Sequence, residues 1–88
     1  MKINVTQEDI DLGKPRCPWD CPIARAVQRQ TRDEAYRVLP GLVYKWDDNS
    51  QAEMLPPEAC EFIQQFDGNG KASVKPFSFE TKPLGRKP

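Results

Sequence analysis

The sequence predicts a small α+β fold, and three observations lead there. Two short runs rich in β-branched and aromatic residues, 35–39 and 42–46, flank the pair Pro40-Gly41, which fits the centre of a type II turn. Apolar residues recur at helical spacing in two other stretches, Ile23, Val27 and Thr31 in one and Ala59, Phe62, Ile63 and Phe66 in the other, the pattern of helices with one buried face. The elements alternate in the order β-α-α-β-β-α-β, with two strands joined by a hairpin. That order points to a mainly antiparallel sheet covered on one face by helices. Eighty-eight residues hold one such domain, expected over 1–81, with a basic and flexible tail over 82–88.

The elements follow in order. Ile3 and Val5 alternate with polar neighbours and predict a strand over 2–5. Thr6 with Asp9 three residues on forms a capping-box start for a short helix over 7–12, with Ile10 facing inward and Gly13 as a left-handed stop. Two prolines make 14–19 an irregular loop. Asp20 is the expected cap of a second helix over 21–31, and Pro22 is tolerated in its first turn. Ile23, Val27 and Thr31, with Ala24 beside them, form its inner face, and Arg25, Arg29 and Arg32 the opposite one. After the hairpin, 47–51 reads as a polar surface loop. A third helix is expected over 57–66, ended by Asp67-Gly68-Asn69-Gly70. Phe77 and Phe79 mark a last strand, which Pro76 confines to an edge or to a start in irregular structure because it cannot donate to a ladder.

Composition excludes several functions. Lys+Arg and Asp+Glu are 13 each, so no bulk charge draws the chain to nucleic acid or anionic lipid. The balance hides a segregation, with an acidic middle and a basic end. There is no histidine, which removes the commonest general base and zinc ligand. There is no Gly-rich phosphate loop and no nucleophile elbow, and Asp67-Gly68-Asn69-Gly70 lacks the ligand series of a calcium loop. These features argue against an enzyme and imply no cofactor. No apolar run approaches a membrane span or a signal-peptide core, so the expected location is the cytoplasm and no membrane is implied.

Three groups remain as candidate sites. Arg25, Arg29 and Arg32 form a basic stripe that suits an acidic partner surface or phosphates, although a solvated helix face has the same pattern. Tyr44 and Trp46 share one face of the hairpin with Leu42, while Val43 and Lys45 share the other. Alternation alone leaves open which face is core and which is free for contact. Cys17 and Cys21 are spaced C-x3-C, and only Cys60 joins them, one ligand short of a zinc tetrahedron. The spacing also misses the redox C-x-x-C by one residue, although Cys21 falls near a helix N-terminus, where the dipole lowers a thiol pKa. Reduced thiols packed as small hydrophobes are the plainer expectation.

The blocks 5–13 (VTQEDIDLG), 21–27 (CPIARAV) and 55–79 (LPPE, FIQQFD and PFSF) resemble those of a group of short proteins of bacteriophages and bacteria. The family carries no activity to transfer. The resemblance implies an accessory protein that acts on host or defence machinery. Together these readings predict a non-enzymatic module that binds a protein partner through Arg25, Arg29, Arg32, Tyr44 and Trp46. The alternatives are nucleic-acid binding through the arginine stripe with Lys82, Arg86 and Lys87, and a metal or redox site at the cysteines.

Overall fold

The computed structural model describes residues 1–83, and the side chains of all of these except 49–51. The chain is α+β, as its sequence predicts. Among the described residues the order is β1 (Lys2–Val5), α1 (Gln7–Leu12), α2 (Pro22–Thr31), β2 (Tyr36–Leu39), β3 (Leu42–Lys45), β4 (Asp48–Met54), α3 (Pro57–Asn69), a 3-10 turn (Lys71–Ser73), β5 (Phe77–Glu80) and β6 (Lys82–Pro83). The strands form two antiparallel sheets, β1-β5 and β2-β3-β4-β6, rather than one. Helix α2 packs against β1 of one sheet and β2 of the other, and against α1. Ile3, Ile10, Ile23, Ala24, Ala26, Val27 and Val43 are fully inaccessible to water. Each large aliphatic side chain buried in this way contributes about 1.5–3 kcal/mol.

Local chemistry explains most boundaries. Thr6 and Asp9 make the capping box, Thr6 Oγ1 accepting from Asp9 N at 3.2 Å and Asp9 Oδ2 accepting from Thr6 N at 2.9 Å. Gly13 ends α1, but not as a left-handed stop: its φ is −71°. Its small size matters for another reason, since a Cβ there would lie 2.7 Å from both Cδ and N of Pro22 and 2.8 Å from Asp9 O. Helices α1 and α2 meet end to end at that point, and only glycine lets them. Pro40-Gly41 forms the expected tight turn, with Gly41 at φ +89° and Leu39 opposite Leu42. Within the core, Phe62 stacks on Phe66 and Phe77, and Phe77 on Phe79, with centroids 4.8–6.2 Å apart.

The polar face of α2 is where the structure departs most from a simple amphipathic reading. Gln30 acts as a strand for β1: its Oε1 accepts from Asn4 N at 2.5 Å and its Nε2 donates to Lys2 O at 2.9 Å. Gln28 makes one such bond to β2, its Nε2 donating to Tyr36 O at 3.0 Å, and a second to Trp19 O in the preceding loop, also at 3.0 Å. Pro18 O takes the neighbouring Val38 N at 2.8 Å. One edge of each sheet is therefore occupied by a glutamine side chain from one helix, joined at β2 by Pro18 O, which pairs edge backbone groups that no strand meets.

Several boundaries differ from expectation. The N-cap of α2 is Cys21, whose Sγ accepts from Ala24 N at 3.4 Å, because the Asp20 carboxylate turns to Arg25 instead. Residues expected as a polar loop over 47–51 belong largely to β4, which pairs with β3 across an irregular register. Helix α3 runs to Asn69, three residues past Phe66. Gly70 at φ +88° stops it, while Asp67 is held by Arg16, whose N–H and Nη1 donate to Asp67 Oδ1 and O. Lys82 and Pro83, expected as the start of a flexible tail, pair with Met54 and Glu53. The rest of that tail, including Arg86 and Lys87, lies outside the described residues.

Gly13→Ala tests the end-to-end contact. The added methyl meets backbone on both sides, so the substitution is expected to cost about 1–3 kcal/mol in urea unfolding, although alanine is the better helix former.

Candidate functional site

The arginine stripe is the first candidate, and its members separate. Arg25 Nη1 sits 2.9 Å from Asp20 Oδ1. Arg29 Nη2 reaches Asp9 Oδ2 at 2.8 Å, against a carboxylate only 7% exposed, and also donates to Asn4 O at 2.9 Å. Both guanidinium groups are thus engaged by carboxylates of the same chain, although the Arg29 side chain stays 48% exposed. Glu8, Asp9 and Glu34 line the same shallow hollow as Arg25 and Arg29, so the charges there are mixed and the surface is not the basic face that phosphate binding calls for. Arg32 stands apart, exposed at the end of α2 in a left-handed conformation, φ +57°.

In the hairpin, Val43 is fully buried, which places Val43 and not Tyr44 on the core side. Lys45 shares the inner side: its Nζ lies 2.7 Å from Asp33 Oδ2 and 5.9 Å from the centre of the Tyr36 ring. Lys45 holds the Asp33 carboxyl below the usual carboxylate range, and Asp33 in turn raises Lys45. Tyr44 is half-buried and Trp46 is 63% exposed. The outer side of the sheet carries an apolar rung, since Leu39 faces Leu42 and Leu42 faces Met54 in register, with Leu39 40% and Met54 46% exposed.

The structure adds a feature that sequence reading missed. A cleft of about 240 Å3 lies between the 16–23 stretch, the hairpin tip and α3, lined by Cys17, Cys21, Leu39, Phe62, Ile63 and Phe66 among others. Its two charged residues, Arg16 and Asp67, are tied to each other through backbone groups, Arg16 N donating to Asp67 Oδ1 and Arg16 Nη1 to Asp67 O. The Ile63 and Phe66 stripe was visible in the sequence, but the wall opposite comes from residues far away along the chain.

All three cysteines are free. Cys17 and Cys21 reach the cleft together, while Cys60 lies on α3 and does not line it. Among the described residues no three Cys, Asp or Glu side chains gather to hold a metal ion. The expected lowering of the Cys21 pKa at a helix N-terminus is reversed. Burial pushes it up to about 11, against weaker lowering by the Ala24 and Ile23 amides. A thiol so placed is almost entirely protonated near neutrality and a poor nucleophile.

The sign of the pH effect follows. The unfolded thiol ionises near 9.0 and the folded one near 11, so between these values the folded state binds more protons and stability falls as pH rises. The largest slope from this group is about 1.4 kcal/mol per pH unit. Cys21→Ser, which keeps an N-cap acceptor but does not titrate, is expected to flatten that part of the stability profile measured by urea unfolding from pH 8 to about 11.

Comparison of the chain with protein-family models, with curated proteins and with solved structures finds no match in any of the three.

Proposed function

We propose that this protein is a non-enzymatic interaction module that receives apolar side chains of a partner protein in the cleft between α3 and the hairpin tip. The observation that carries the reading is the cleft itself: about 240 Å3 of mainly apolar wall, continuous at Leu39 with the exposed Leu39–Leu42–Met54 rung. Exposed apolar surface next to a concavity is where partner anchors commonly seat. Arg16 and Asp67 are tied to each other's backbone at the rim, and the rest of the lining is mainly apolar, so the site favours shape and apolar surface. The lining offers few polar groups to a small polar substrate, and the Cys21 sulfur is occupied as the helix cap.

The arginine face contributes to this function by holding the body of the domain rather than by touching the partner. Trp46 and Arg32 remain exposed, at the far end of β3 and at the end of α2. Nucleic-acid binding is the weaker reading, because the two arginines nearest to forming a basic patch are neutralised by Asp20 and Asp9.

Affinity capture compared across variants tests the proposal. Leu39→Asp places a charge at the cleft mouth on an exposed position and leaves the core intact. It is expected to remove a protein captured by the unmodified chain, while Arg32→Glu leaves capture unchanged. Capture that survives Leu39→Asp, or that is lost only with Arg32→Glu, contradicts the cleft as the contact.

A further inference from the structure

We propose that the outer edge of β5 is a second docking site, which takes an extended, acidic segment of a partner protein as an added strand. The hydrogen-bond pattern defines that edge. Asn4 N and Lys2 O point away from β5, to Gln30, so the residues that bond β1 to β5 are Ile3 with Phe79 and Val5 with Phe77. Thr81 N donating to Met1 O at 2.9 Å continues the same parity. The N–H and C=O groups of Ser78 and Glu80 therefore face outward, and among the described residues no backbone or side-chain group meets them. The contrast with β1 and β2 is direct, since α2 closes both of those edges with Gln30 and Gln28. A two-stranded sheet is marginal by itself, and a third strand adds ladder bonds and covers more of its face.

The side chains indicate what fits. Phe77 is only half-buried, on the face that packs against Phe62, so an incoming strand gains from an apolar residue at alternate positions. Lys75 and Lys82 flank the strand and Lys2 lies across from Glu80, all exposed. This excess of positive charge favours carboxylates on the incoming segment. It also weighs against a second copy of the chain, because lysines beside an edge strand are a known guard against edge-to-edge pairing.

No residue of β5 lines the cleft, although Phe77 stacks on its Phe62 wall, and the test keeps the two sites separate. The probe is a capped peptide of alternating glutamate and valine, with a lysine–valine peptide as control, read by amide hydrogen exchange on the full chain. With the glutamate peptide, the Ser78 and Glu80 amides are expected to exchange at least about tenfold more slowly, an effect weakened by salt. Leu39→Asp is expected to leave it intact, and a Lys75→Glu/Lys82→Glu variant to lose it. No slowing at those two amides, equal slowing by the lysine peptide, an unchanged response in the double variant, or slowing that grows with protein concentration without peptide would each overturn the proposal.

Discussion

The polar side chains of α2 are the constraint on which the rest of the structure depends. A chain of this size forms two small sheets rather than one, and each has an edge turned toward the same helix. Backbone groups at those edges border the core of Ile23, Ala26 and Val27. The bonds to β1 are exposed and the Gln28 bond to Tyr36 O is part-buried, so each adds about 0.5–1.5 kcal/mol. Gln28 and Gln30 meet them with side-chain amides that imitate a strand. Arg29 completes the closure, bonding Asn4 O while neutralising the nearly buried Asp9 carboxylate, which also caps α1. Sheet, cap and helix are thus bound into one unit by three consecutive residues.

This arrangement decides where function can reside. Charge on the outward face of a helix invites a reading as a binding surface, yet here it is drawn inward by carboxylates and carbonyls within reach. What the fold leaves open lies away from that face. One opening is the apolar cleft under the hairpin tip, and the other is the strand edge that no glutamine closes. Both suit contact with protein. The cysteines fit the same picture: two line the cleft as soft apolar surface, and Cys21 spends its sulfur as a helix cap.

Much of the fold was legible because it rests on local chemistry. Thr6 with Asp9, Pro40-Gly41 and the Ala59–Phe66 stripe announce their elements from a few neighbouring residues. The strand at Asp48–Met54 was not legible, since Asp48-Asn49-Ser50-Gln51 has no apolar alternation and extends only because β3 offers a ladder beside it. The split into two sheets was hidden for a similar reason, because it depends on which strands β5 and β6 find across the chain. For the site, sequence spacing identified Arg25 and Arg29 correctly as one face of a helix. It carried no information on Asp20 and Asp9, whose positions are set by the turn and the capping box that bring them there. The cleft needed walls from three separated stretches, and only its α3 wall had a periodic signature.

A double-mutant cycle on Asp9 and Arg29, using Asp9→Asn and Arg29→Gln in urea unfolding, tests the central claim most directly. If the polar face of α2 holds the domain together, the two substitutions are coupled by about 1–3 kcal/mol, and Arg29→Gln alone is clearly destabilising. Additive effects, with Arg29→Gln as stable as the unmodified chain, would mean that this arginine is free surface after all and would contradict the account.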